Sequence, residues 1–241
     1  VVKRSRSSAR PFRELGLYEK LAAIGVMVTA SPLSQAEIQR VDIEEALVDA
    51  TTVLGRGDDL KLLGPMLSWV AMHGSAIIIE KLLKILRQRK DGGDDVEFVG
   101  LYALVALQHG HKRWSIIAER FGPDPAKPRP IGPIDLNESL LRLRGEEEWS
   151  KGSGFLVPKG SAAINQKWVL SRPALAKQHR QYRNRLMYGA QWRADIVTAY
   201  ESGARTPAEA SRMTGASYEP CYRVKSELEA AGVLTVTRKT S

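Results

Sequence analysis

The chain has 241 residues, one cysteine and a formal net charge of +9. That length can bury a substantial core, as one large domain or two modest ones. The single cysteine rules out an intrachain disulfide framework and fits a reducing, cytoplasmic setting, and no apolar run approaches the roughly 18 residues of a membrane span. Charge is spread unevenly. Residues 1–13 carry five Lys/Arg and no acid, residues 14–110 carry 9 basic and 14 acidic side chains, and residues 111–241 carry 22 basic and 13 acidic. The carboxyl part is therefore the part suited to a polyanion, and the acidic amino half to a different partner.

Residues 1–10 are basic and serine-rich with almost nothing to bury, which predicts disorder. Residues 11–121 predict a helical domain for partner binding or oligomerisation. Phe12, Leu15, Tyr18, Leu21 and Ala22 recur at helical spacing. Ser34 and Glu37 spell a capping box, with Ile38, Val41, Ala46, Leu47 and Val53 on the apolar side of the helix that follows. Residues 58–72 and 75–90 read as a helical hairpin turning at His73-Gly74, and residues 96–108 and 111–121 as another turning at His109-Gly110. The shared His-Gly turns are a weak hint of a repeat.

Residues 122–170 predict a linker and arm: five prolines fall within 122–135, and 151–167 is rich in Gly, Ser and Lys. A short charged helix is expected over 137–148, with extended pieces at 155–157 and 168–170. A further helix begins near Pro173. Residues 171–194 contain six Lys/Arg and no acid, interleaved with Tyr182, Tyr188 and Trp192.

Three helices are then spelled in succession, at about 190–202, 207–214 and 218–231. Thr206, Pro207 and Glu209 form a capping box with proline at the first helical position. Gly215 closes that helix and Ser217 is the cap of the next. In the third helix Cys221, Val224, Leu228 and Ala231 make a narrow inward stripe. Glu219, Tyr222, Ser226 and Glu229 lie opposite, with Arg223 on the flank. Such an outer face can reach base edges, and Arg is the usual partner of guanine. Tyr218, Lys225 and the free N–H groups after Ser217 can meet phosphates. Arg180, Arg183, Arg185 and Arg212 are expected to add sequence-independent phosphate contacts.

The segment 190–239, with the phrase SYEPCYRVKSELEAAGVL at its centre, resembles the winged helix-turn-helix domain of bacterial transcription regulators. The resemblance implies a mainly α fold, a helical amino-terminal domain followed by a winged helix-turn-helix over 171–241 with a short β-wing. It implies that Ser217, Tyr218, Tyr222, Arg223 and Ser226 face DNA and that Arg238 and Lys239 lie at the wing. A full wing is a hairpin, and the extended piece at 166–170 is the candidate partner for 233–238. The half-acidic, half-basic plan also resembles, more loosely, antitoxins paired with nucleotidyltransferase toxins in abortive-infection systems. The implied partners are double-stranded DNA and a toxin held by the acidic half, with a homodimer meeting paired half-sites.

Enzymatic signatures are missing from the sequence. There is no GxxxxGK[ST], no GxGxxG after a strand and no HExxH, and Gly152-Ser153-Gly154 lacks the flanks of a nucleophile elbow. His73, His109, His111 and His179 form no zinc set with cysteine. A DNA-binding repressor without cofactor is the expected function, with a non-enzymatic scaffold that binds protein or RNA as the alternative.

Overall fold

The computed structural model describes residues 13–57 and 59–234, and among them the chain is mainly α-helical, with thirteen α-helices and one two-stranded sheet. The basic tail at 1–10 lies outside the described residues.

The amino-terminal helices are α1 (Leu17–Ala23), α2 (Gln35–Ile38) and α3 (Ile43–Arg56). The Ser34–Glu37 capping box forms, but the single helix expected behind it is two. The chain turns after one helical turn, and Asp42 starts α3 by accepting the backbone N–H of Glu45 at 3.2 Å. An Asp in extended backbone competes with helix continuation by offering its own cap.

The two expected hairpins are α4 (Leu63–His73) with α5 (Ile79–Asp91), and α6 (Val99–Gln108) with α7 (Ser115–Phe121). Their His-Gly turns are not equivalent. Gly74 is right-handed at φ −56°, whereas Gly110 sits at φ +81°. Gly74 is needed for proximity instead, since a Cβ there would lie 2.6 Å from the His111 ring.

Residues 122–170 wrap the helical body. Strands β1 (Arg129–Pro130) and β2 (Phe155–Leu156) pair in parallel, and α8 (Ile134–Arg144) lies between them in sequence. Ile131, Phe155, Val157, Ala162 and Val169 all enter the same core as the amino-terminal helices. Arg129 reaches Asp95 and Glu97 and donates to the Gly55 carbonyl at 2.6 Å. The piece at 166–170 begins as a 3-10 turn and bonds to the amino-terminal segment: Met27 N–H donates to the Trp168 carbonyl and Leu170 N–H to the Gly25 carbonyl, both at 2.8 Å. The residues expected to form the wing strand from 235 onward, Arg238 and Lys239 included, lie outside the described residues.

Helices α9 (Arg172–Gln178) and α10 (Arg180–Tyr188) follow, and their Leu175 and Tyr182 belong to the large core. A second core is built by α11 (Trp192–Glu201), α12 (Pro207–Thr214) and α13 (Tyr218–Ala230) from Ile196, Val197, Tyr200, Ala210, Cys221, Val224 and Leu228 among others. The division between cores thus falls between Tyr182 and Ile196, later than residue 171.

Candidate nucleic-acid interface

The three-helix unit is locally determined. Thr206 Oγ1 accepts the Glu209 N–H and Glu209 Oε2 accepts the Thr206 N–H, both at 3.2 Å, and Pro207 occupies the first turn. Gly215 adopts φ +77°, a conformation disfavoured for any residue with a Cβ, and so ends α12 in a tight turn. Ser211 Oγ donates to the Ala216 carbonyl at 2.7 Å, and Thr214 Oγ1 accepts the Ala216 N–H at 3.1 Å. These bonds fix the angle between α12 and α13. Tyr200 then ties α11 to α13 by donating to the Cys221 carbonyl at 2.9 Å. Cys221, Val224 and Leu228 face inward as expected; Ala231 is exposed, one position past the end of α13.

The outward side of α13 carries Tyr218 and Tyr222, 55% and 54% exposed, with rings stacked 6.5 Å apart. Arg223, Ser226 and Glu219 are exposed beside them. Ser217 occupies the cap position, but its hydroxyl accepts no backbone N–H, which leaves both the hydroxyl and the first-turn N–H groups of α13 available. Arg212 on α12 and Arg205 just before it are exposed. Among the described residues the side chains of Arg205, Arg212 and Arg223 make no direct ion pair or hydrogen bond, although the Glu209 carboxyl, held below its ordinary value first by the Arg205 backbone N–H, also feels the Arg212 and Arg205 charges from a distance. Arg205 was not expected from the sequence. Its signal is its place immediately before the α12 capping box.

Several expected contacts are elsewhere. Arg185 is fully buried rather than on a phosphate-facing surface. Its guanidinium grips Glu44 of α3 through two bonds of 2.6 and 2.7 Å and Asp195 of α11 through two bonds of 2.8 Å. Lys81 of α5 joins the cluster, 2.6 Å from Asp195 and in contact with Asp42. Gln181 donates to both Asp42 and Asp195 at 2.9 Å. Arg180 and Arg183 serve the end of α11: Arg180 donates to the Glu201 carbonyl at 2.9 Å, and Arg183 pairs with the Glu201 carboxylate at 3.0 Å. Lys225 pairs with Glu229 at 2.8 Å, and Ser226 Oγ donates to the Tyr222 carbonyl at 3.2 Å. The stretch 171–194 is acid-free in sequence only; in space, carboxylates of α3 and α11 pair with Arg180, Arg183 and Arg185, and Arg193 pairs with Glu227 of α13.

The buried cluster joins the two cores. Burial opposes ionisation of Asp195, but the Arg185 and Lys81 charges outweigh it and hold the carboxyl below the usual carboxylate range. The same balance raises Lys81, where burial is outweighed by Glu44, Asp42 and Asp195. Oxygens of Asp42, Glu44 and Asp195 lie within 4.8 Å of one another. Two cations already occupy the space between them, so the chemistry of the group is that of a clamp.

Three of the four histidines are tied into the fold. His73 is buried, with Nδ1 2.7 Å from the Tyr182 hydroxyl and Nε2 3.0 Å from the Leu170 carbonyl. His179 is buried with Nε2 3.0 Å from the Val41 carbonyl. Burial lowers both to about 4. His111 Nε2 lies 3.1 Å from the Ala71 carbonyl, and His109 sits exposed at the carboxyl end of α6.

No family model matches the chain, and neither a curated protein nor a solved structure matches it. No described helix is long and apolar enough to cross a membrane.

Proposed function

We propose that this protein is a sequence-specific DNA-binding regulator that inserts α13 into the major groove. The observation that carries the reading is the α12–α13 pair. A capped helix and a second helix that share a core with α11 are joined through the Gly215 turn, and among the described residues α13 leaves Tyr218, Tyr222 and Arg223 exposed. Arg223 reads a base edge; Arg205, Arg212 and the N–H groups after Ser217 hold phosphates on either side. The stacked tyrosines supply rigid contact area and two hydroxyls.

The test is a titration of the full chain against duplex DNA from its own upstream region, read by fluorescence anisotropy over a salt series. The two phosphate-holding arginines, Arg205 and Arg212, predict a log–log salt slope of about −2 per copy. The reading also predicts a preference for the upstream duplex over random sequence that Arg223→Ala relaxes by about 1–3 kcal/mol. A chain that binds both duplexes alike, or neither, is not this regulator.

A further inference from the structure

Helix α8 is built inside out. Its one fully buried residue is Asn137, whose Nδ2 donates to the Leu156 carbonyl at 3.0 Å, while Ile134, Leu136 and Leu143 are 63%, 52% and 78% exposed. At about 100° per residue, Leu136, Leu140 and Leu143 form an i, i+4, i+7 stripe to one side of Asn137. Leu136 and Leu140 also edge a groove of about 210 Å³ whose other walls include Leu60, Leu63, Ile131 and Pro133. Leucines held outward by a helix anchored through a polar residue call for a second apolar surface.

The charges on α8 select that surface. Asp135 and Arg142 are seven residues apart and so flank the same edge of the stripe, one near each end of the helix. Asp135 has no ion-pair partner among the described residues, and Arg142 has only an exposed pair with Glu138 at 3.4 Å. When two copies of α8 pack antiparallel about a two-fold axis near Ser139, Asp135 of each copy falls beside Arg142 of the other. Leu143 of each copy then falls opposite the Leu136 end of the other, beside the groove that Leu136 and Pro133 line. A patch that is complementary to itself under a two-fold rotation is the requirement for an isologous interface.

We infer that the Leu136–Leu140–Leu143 stripe of α8 is a two-fold interface between two copies of this chain, with Leu143 of each copy seated in the groove of the other. This interface does not depend on DNA binding, and its test contains no DNA.

Sedimentation equilibrium of the full chain over a concentration series is expected to show a monomer–dimer equilibrium. Leu143→Glu, an exposed substitution whose fold is checked by circular dichroism, weakens dimerisation by about tenfold or more. Asp135→Arg alone and Arg142→Asp alone each weaken it several-fold, because like charges then face each other, and the two together restore it. A parent chain that stays monomeric throughout, or a Leu143→Glu chain that dimerises like the parent, overturns the interface. Failure of the double reversal to restore association overturns the antiparallel register.

Discussion

Two stretches of this chain are rich in arginine, 172–193 and 205–223, and they use it in opposite ways. In the first, Arg172 donates to the Met72 carbonyl, Arg180 and Arg183 hold the end of α11, Arg185 is buried and Arg193 pairs with Glu227. In the second, Arg205, Arg212 and Arg223 remain without ion pair or hydrogen bond among the described residues. The first stretch assembles the molecule and the second is available to a ligand. Counting charges along a sequence window does not separate these roles, because the neutralising carboxylates come from other helices.

The largest effect that can test this contrast is at Arg185. Arg185→Leu leaves Glu44 and Asp195 buried without their shared cation, a change expected to cost about 3–5 kcal/mol. Chemical denaturation should show it as a large drop in midpoint, whereas Arg223→Ala should leave the midpoint close to the parent's. Equal stability of the two variants would erase the distinction between the stretches.

Acid is the next lever. His73 and His179 are held neutral by burial at about 4, against an ordinary value of 6.5. Between those values the unfolded chain binds more protons than the folded one, so stability falls as pH falls through that window. From pH 7 to pH 5 the loss is roughly 2 kcal/mol per histidine at 1.36 kcal/mol per unit below 6.5. Asp195, depressed by Arg185 and Lys81, adds a separate loss only below the carboxylate range. Urea denaturation at pH 7 and pH 5 measures the histidine part, and His73→Gln should flatten it. A stability unchanged between the two pH values contradicts the burial of both rings.

The smallest effect is at Arg183, whose side chain is 46% exposed beside a partly exposed Glu201. Arg183→Ala is expected to cost about 0.2–1 kcal/mol of stability by the usual scale of surface ion pairs. A thermal melt against the parent checks it.

Much of the three-helix unit was legible because its signals are local. The Thr206–Glu209 box, Pro207 and Gly215 each fix backbone within a few residues of themselves, and the Cys221–Val224–Leu228 stripe needs only helical periodicity. The split between α2 and α3 was legible in principle, since Asp42 is a second cap, but the apolar run across it suggested one helix. Arg185 was misplaced because its partner Glu44 is 141 positions away. Asp195, ten positions away, stood just past the end of the acid-free window and was the one local sign. The linker composition of 122–170 was equally deceptive: proline and glycine report extended backbone, and extended backbone here carries Ile131, Phe155 and Val157 into the core.

On the proposed reading, DNA meets the second arginine stretch and not the first. It is tested most directly by comparing Arg223→Ala and Arg183→Ala in one anisotropy titration on the upstream duplex at fixed salt. Arg223→Ala is predicted to lose about 1–3 kcal/mol of preference over random duplex, with Arg183→Ala binding as the parent does. The reverse pattern, with Arg183→Ala weakened and Arg223→Ala unchanged, would contradict it.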